Sequence, residues 1–548
     1  MGGMRSTSRW AAIGIVCAAW AATAGPATAA WEQLPGTSNN DITTEPATLG
    51  LPDGSYEIAY RVRGSDPGKE ALAGAVLSPD GKVVAAAPLT GDWASLTNPG
   101  LTMDGSSLRA YWGGIADPNW QSPVPGLETA TAPGPGGPWQ GQFGGIEVAT
   151  CQGDVDPACP PGGYLAELYS YGSDISAAST AAGPLAAWSG TLGVYVRVGT
   201  TPPRDTDAGP PGFPAGDDPE DPNNQQQVNQ EGNDDHSTYP APSFQPACCG
   251  YEPRLAIDSA TGRPYLGWFS NASSKPGTLI ELVDPSSGAP QLGPYTVPGS
   301  TDSAGLRGRT PLTGVPGSAG VYTAIPEGKG DQEVVLAGFG VEPNSTFATP
   351  RIVISKGGDG EVRNTAITAD DSGNLWIVWT RDTIDGLKVF ASRYELKSGK
   401  FTTPTETAGP PDASDSYTLD AVPLGNDVEV LGSFGPTPGG GMGALWHSSL
   451  GLTPTVSAPQ VTVAKGSKAT VALHVTLAGK PIAGATVTVI GASASRVHKR
   501  PIQARTNQRG IVHLRLGPFH HSITIRLRIS KRGYASTTVK VHVRVKRH

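Results

Sequence analysis

Carboxylates are the reactive groups this chain has in quantity, with 48 Asp and Glu against nine His in 548 residues. Seven of those His lie beyond residue 456, which leaves only His236 and His447 in the long segment before it. That scarcity argues against a Ser/His/Asp triad, whose base must sit beside its nucleophile, and against a multi-histidine metal site. No G-x-S-x-G elbow, H-E-x-x-H pair or phosphate-binding P-loop is present. Paired Asp and Glu can hydrolyse glycosides without histidine, so carboxylate chemistry on a glycan stays open, although no pair stands out among the acids. Nine acids and no Lys or Arg fall between Asp205 and Asp235, among many Pro, Gly, Asn and Gln. This composition cannot bury a core and predicts a disordered insertion at about 205–240. Calcium is the sharper reading of the run, because hard cations take clustered carboxylates, but EF-hand spacing is absent. No other metal or cofactor is expected.

The cations are distributed in the opposite sense. From Ser457 to His548 there are 17 Lys and Arg and no acid, whereas residues 31–456 carry all 48 acids against 21 Lys and Arg, a net charge of −27. Such asymmetry suggests that the tail meets a polyanion, or its own acidic body. In the tail, Val471, Leu473, Val475 and Leu477 alternate with Ala472, His474 and Thr476. Ile523, Ile525, Leu527 and Ile529 alternate with Thr524, Arg526 and Arg528, and Val539, Val541, Val543 and Val545 alternate with Lys540, His542 and Arg544. Successive strand side chains point to opposite faces, so each of these strands has one apolar and one polar side. If the last two pair as a hairpin, Arg526, Arg528, Lys540, Arg544 and Lys546 share one outward face. Like charges opposite one another repel, and a counter-anion would relieve them. An anionic cell-envelope polymer is the expected partner. Nucleic acid is the weaker candidate, because only Phe519 and Tyr534 lie near for stacking.

The remaining cues set the compartment and the scaffold. Arg5 and Arg9, an apolar stretch from Trp10 to Trp20 and small residues through Ala27-Thr28-Ala29 predict an export signal over residues 1–30. The apolar run is too short to span a bilayer, and no later segment serves as an anchor, so the mature chain is expected to be secreted or wall-associated. Four Cys then remain: Cys151, Cys159, Cys248 and Cys249. An even count outside the cytoplasm favours two disulfides. Pairing Cys151 with Cys159 leaves Cys248–Cys249 as a vicinal bridge; cross-pairing between the two sets is the alternative. Gly (73) and Pro (51) make up about 23% of the chain, against about 12% ordinarily. Long amphipathic periods are absent, so short strands and turns are expected throughout.

Two segments share one plan of apolar strand, Asp/Gly turn and Trp-bearing strand: Arg254 to Trp268 and Thr365 to Trp379, each followed by a second hairpin. Weaker copies surround Ala73–Gly81, Pro184–Trp188, Gly320–Ala324 and Tyr417–Val422. Trp268 and Trp379 are 111 residues apart with one copy between them, a period of about 55 that approaches four-stranded propeller blades. The predicted fold is all-β: a six- or seven-bladed β-propeller over 31–456, with a string of β-sandwiches as the rival, then a basic β-sandwich over 457–548.

Asp371-Ser-Gly-Asn-Leu-Trp376 resembles the Asp-box turn of sialidase-type (BNR-repeat) propellers, with Ala369 where that family has Ser. The resemblance implies a structural role for Asp371, Gly373 and Trp376, away from any catalytic face. Sialidases hold the substrate carboxylate with three arginines, the first in an R-I-P or R-L-P motif, and use a Tyr–Glu pair and an Asp acid. Tyr60-Arg-Val-Arg63 and Arg254-Leu-Ala256 are the nearest segments and lack the Pro, so no catalytic position is carried over. The tail, through Gly479–Val489 and Thr506–Val512, resembles bacterial immunoglobulin-like repeats of invasins and adhesins, which implies a spacer or adhesive role. The primary expectation is therefore a secreted binding or cell-surface protein, its propeller taking a glycan or protein ligand. The alternative is a secreted glycan-active hydrolase.

Overall fold

The short apolar runs form antiparallel strands, and the turns between them are tied by Asp side chains and by glycines. The computed structural model describes residues 31–39, 41, 44–115, 126–142, 174–190, 193–198, 250–270, 276–286, 288, 290–302, 308–328, 330–340, 348–355, 360–425, 427–437, 441–452, 454–457, 461–477, 480–490, 502–531 and 534–546. Among them there is no α-helix, only one 3-10 turn at Ser300–Asp302, and no helix long and apolar enough to cross a membrane. The predicted export signal, Cys151, Cys159, Cys248 and Cys249, and the acidic run at 205–240 lie outside the described residues.

Among the described residues, seven sheets of three to five strands lie between residues 32 and 451. Their innermost strands are, in order, Ala47–Gly50, Gly100–Asp104, Ile175–Thr180, Gly250–Ile257, Leu312–Gly314, Val362–Ala369 and Asp420–Leu424. Each packs beside the next, and the last packs beside the first, so the sheets close into a ring. Hydrogen bonds stitch all seven junctions. Thr418 Oγ1 donates to Thr44 O (3.0 Å), Glu45 N to Asn98 Oδ1 (3.0 Å) and Asn98 Nδ2 to Asp174 Oδ1 (2.5 Å). Leu255 N donates to Ser176 Oγ (2.9 Å), Thr310 N to Glu252 O (2.9 Å), Thr365 Oγ1 to Ala324 O (2.7 Å) and Asn364 Nδ2 to Ser416 O (2.7 Å). This is a β-propeller. Its last sheet is completed by a strand from before the first blade, because Glu32–Gln33 pairs antiparallel with Ala444–Gly451.

Stacking explains the weak alternation in the body. Gly277–Val283 is buried at every position, as are the first seven residues of Leu375–Thr383, since each inner strand has a neighbouring sheet on both faces. The recurrent aromatics Tyr60, Trp112, Trp188, Trp268, Trp379 and Phe434 all sit in the strand following the innermost one and are buried. The copy near Ala73–Gly81 is out of phase, because its turn joins the third and fourth strands of its sheet.

The Asp-box turn needs one correction. Asp370, not Asp371, organises it. The Asp370 carboxylate accepts from Ser372 N (2.9 Å) and Asn374 N (3.0 Å) and pairs with Arg393. Asp371 is exposed, Gly373 takes φ +74°, and Trp376 is fully buried. The ladder ends at Ala369–Leu375, so the next residue is the one placed to close an Asx turn. Asp258 does the same two sheets earlier, accepting from Ala260 N (2.9 Å) and from Thr261 Oγ1 (2.7 Å). Asp370→Ala is expected to lower stability by about 1–3 kcal/mol by leaving buried donors unpaired, and Asp371→Ala to stay within about 0.5 kcal/mol. Denaturant midpoints of the two variants check this.

The tail forms two packed sheets. One joins Thr455–Ser457, Ser467–Leu477, Lys480–Pro481 and Ile511–Phe519; the other runs Val461–Ala464, Tyr534–Lys546, Ile523–Lys531, Thr486–Ile490, Gln503–Arg505. Val461–Ala464 is parallel to Tyr534–Lys546. Val471, Leu473, Val475, Val487, Leu514, Leu527 and Val541 form the shared core. Its first strand begins at Thr455, two residues before the change in charge. The joint with the ring is apolar: Leu452 bridges to Tyr534, and Leu477 and Tyr534 pack against the core of the last blade.

Candidate functional site

Polar residues at the starts of the innermost strands, or at the register shift within Gly250–Ile257 in the case of Glu252, meet where those strands converge. Four of them stand before proline, in Glu45-Pro46, Asn98-Pro99, Glu252-Pro253 and Thr310-Pro311. Proline suits the start of a strand, where no ladder donor is required, and it leaves the preceding residue extended and aimed out of the sheet end. Glu252 departs from this with φ +59°. A positive φ is uncommon for a residue with a side chain, and such strain clusters at working sites.

Arg309 spans the hub. Its backbone N donates to Glu45 Oε1 and Oε2 at 2.9 and 2.7 Å, its Nη1 to Pro46 O at 2.8 Å and its Nη2 to Pro99 O at 2.5 Å. Arg309 precedes the fifth innermost strand, whereas those carbonyls precede the first and second. Fifth and first or second are three steps apart around a ring of seven, so the side chain crosses the centre. Arg254 crosses likewise from the fourth blade to Asp420 of the seventh, 3.4 Å away. Asp420 also accepts from Thr48 Oγ1 at 2.8 Å and from Ala421 N at 2.9 Å. Arg61 donates to Leu96 O at 2.8 Å and lies 3.8 Å from Glu70.

Burial sets the protonation of the acids. Burial pushes the Glu45 carboxyl up to about 8, reinforced by the neighbouring Asp174 and opposed by Arg309. Asp174 is also raised by burial, opposed first by Arg309 and then by its bond from Asn98 and by Arg61 and Arg254. Glu252 is held well above the usual carboxylate range by burial, with Asp174 and Glu45 adding to the effect. The residue as a whole is half-buried, yet its Oε2 is enclosed with no hydrogen-bond partner among the described residues. A carboxylic acid kept protonated near neutrality is the form required of a general acid.

Three arginines therefore surround Asp174, and two of them come from the segments singled out in the sequence, Tyr60–Arg63 and Arg254–Ala256. They do not form a clamp for a substrate carboxylate. Arg61 and Arg309 are spent on main-chain carbonyls, and Arg254 is paired with Asp420. Glu45, Asp174, Glu252, Arg309 and Asp420 escaped the sequence reading; the recurrent polar–Pro dipeptide was the available signal for two of them. His447 lies apart, buried, with Nδ1 2.7 Å from Glu429 Oε1, and Ser449 Oγ donates to the other oxygen of the same carboxylate. Because the serine bonds the acid and not the imidazole, this is no nucleophile–base pair. Among the described residues no cluster has the geometry of a metal site.

The tail residues are placed together. Arg526, Lys540, Arg544 and Lys546 are exposed and Arg528 half-exposed, all on the outward face of one sheet. Arg526 stands directly opposite Lys540, and Arg528 opposite Thr538.

No protein-family model and no curated protein sequence matches the chain. Among solved structures, a Bombyx mori GH32 beta-fructofuranosidase aligns over 94% of this chain and 89% of its own at 8% identity and TM-score 0.31. The polysaccharide lyase Uly1 aligns over 74% and 89% at 7% identity and TM-score 0.36. Trypanosoma rangeli sialidase aligns over 91% and 84% at 8% identity and TM-score 0.32. Likeness at this level carries no argument, so the site is read from its own geometry.

Proposed function

We propose that the chain is an exported glycan-active protein in which the hub of the propeller works by carboxyl acid–base chemistry. The Glu252 carboxyl carries this reading: its hold on a proton is strengthened by burial and by the neighbouring Asp174 and Glu45, it is mounted on a strained backbone, and one of its oxygens has no hydrogen-bond partner among the described residues. In this role Glu252 donates the proton to a leaving oxygen. Asp420, fixed by Arg254, Thr48 and its neighbour's amide, is the second carboxyl that glycoside cleavage requires. The sialidase variant of this reading is disfavoured, because the arginines are already engaged by the protein.

The test is turnover on a panel of sialosides and neutral and acidic glycans. Wild-type protein is expected to turn over a member of the panel, and Glu252→Gln to lower kcat by about 10²-fold or more with an unchanged melting temperature. Glycan binding without turnover across the panel would return the propeller to a purely binding role.

A second reading concerns the tail and is favoured by the unrelieved Arg526–Lys540 pair. The split of its strands between two packed sheets supports the reading of an immunoglobulin-like sandwich. In this reading the module docks the protein on an anionic envelope polymer, holding the hub close to its substrate.

A further inference from the structure

We propose that the basic sheet face of the tail is a ladder for a linear polyol-phosphate polymer, one with a phosphodiester on every three-carbon unit. The proposal rests on the reading of that face as a polyanion dock and narrows its ligand.

The spacing of the cations is the first argument. Lys540, Arg544 and Lys546 project from one strand at even-numbered steps, with His542 at the alternate position between the first two, all exposed. Two residues of extended chain advance about 6.4–6.8 Å and span six main-chain bonds. A three-carbon diol joined by phosphodiesters also repeats every six bonds: two C–O, two C–C and two P–O. The interval of the extended polymer therefore matches the two-residue interval of the strand, so that phosphates can face Lys540, Arg544 and Lys546 while the one between faces the His542 imidazole, without either chain bending.

The second argument is lateral. Arg526 lies directly across from Lys540, and Thr524 across from His542, with Thr524 Oγ1 2.8 Å from His542 Nδ1. On the other side, Thr462 is opposite Arg544. A polymer lying along the strand is thus met by cations from one strand, a guanidinium from the next, and hydroxyls flanking both. Arg526 and Lys540 face each other at the separation where like charges repel, and neither forms an ion pair among the described residues. A phosphate between them turns that repulsion into two charge-assisted contacts.

The third argument removes competitors. The outward side chains of this face are mostly Arg, Lys, His, Thr and Ser, with Ile490 beside Arg526 and Ala464 beside Lys546, and no exposed aromatic stands on it among the described residues. Phe519 is buried, and Tyr534 is half-buried in the joint with the ring. Nucleic acid shares the six-bond backbone repeat, but its bases would find nothing to stack on. Polyuronates carry their charges on rigid rings and do not follow the strand interval. The joint also leaves the ladder clear of the acidic body: no ion pair links Arg526, Lys540, Arg544 or Lys546 to it among the described residues.

Binding of the full chain would be measured against poly(glycerol phosphate), polygalacturonate of equal charge and a single-stranded oligonucleotide of equal phosphate number, across a salt series. Poly(glycerol phosphate) is expected to bind tightest, with affinity falling steeply as salt rises because condensed counterions are released. Arg526→Gln/Lys540→Gln is expected to reduce the salt slope by about two while melting no lower than wild type, since it removes a repulsion. Lys468→Gln/Arg515→Gln, on the outward face of the opposite sheet, removes the same charge and should change the slope little. Equal losses in both pairs would overturn the ladder. Polygalacturonate or oligonucleotide binding as tightly as poly(glycerol phosphate) would overturn the polyol-phosphate assignment while leaving a general polyanion dock standing. Binding to none of the three would sink both.

Discussion

Removing residues 31–37 is expected to prevent the propeller from closing. This segment is short, but its contacts join the two ends of the ring. Glu32–Gln33 supplies a strand to the last sheet. Trp31 packs edge-on against Phe434 at 5.2 Å between ring centroids, and its Nε1 donates to Ala408 O at 2.8 Å. Leu34 is fully buried among Ile58, Tyr60 and Leu77 of the first blade and Val422, Leu431 and Leu445 of the last, while Leu34 N donates to Leu445 O at 2.8 Å. Without the segment, Ala444–Gly451 becomes a bare sheet edge, and such edges pair with other chains. The truncated protein should be recovered as aggregate or as a species with a much lower denaturant midpoint. Leu34→Ala offers a milder test: a cavity at this seam is expected to cost about 2–5 kcal/mol. Ile384→Ala, at a residue 92% exposed, should shift stability by no more than about 0.5 kcal/mol. Equal effects at the two sites would mean that the seam does not hold the ring together.

What could be read from the sequence follows from where each signal resides. The tail was legible because its strands each have one wet face, so Val471, Leu473 and Val475 stand out against Ala472 and His474. Ring strands are enclosed on both sides and lose that alternation, leaving only their recurrent aromatics. Those sufficed for Trp268 and Trp379, and they misplaced the phase of the copy at Ala73–Gly81. The choice between Asp370 and Asp371 depended on the residue at which the ladder ends, which composition does not specify. The hub was illegible for a different reason. Glu45, Asp174, Glu252, Arg309 and Asp420 are brought together only when the ring closes, and no local spacing relates them. Likewise, Arg61 and Arg254 were identified by a motif they do not complete. The importance of Arg254 comes from Asp420, which it faces across the axis, and that of Arg61 from the Leu96 carbonyl of the next blade and Glu70 of its own.

The hub makes a second strong prediction, at Arg309. Two effects bear on Arg309→Met, which keeps much of the volume and removes the charge. The main-chain carbonyls of Pro46 and Pro99 lose their donors in a buried setting, and unpaired buried acceptors are costly. Glu45 and Asp174 lose the cation that opposes the effect of their burial, which leaves them still more reluctant to ionise. Breaking a buried charge network by removing one partner typically costs about 3–5 kcal/mol, and this range is expected as a fall in denaturant midpoint with an unchanged slope. Arg309→Lys separates the two causes. A lysine restores the positive charge near the acids but cannot reach two carbonyls with a planar fork, so it should recover only part of the loss. Full recovery by Lys would make the hub purely electrostatic. No recovery would show that the bond pair across the axis matters and the charge does not. If Arg309→Met is as stable as wild type, the crossing contacts do not tie opposite blades, and the pinned geometry around Glu252 loses its physical basis.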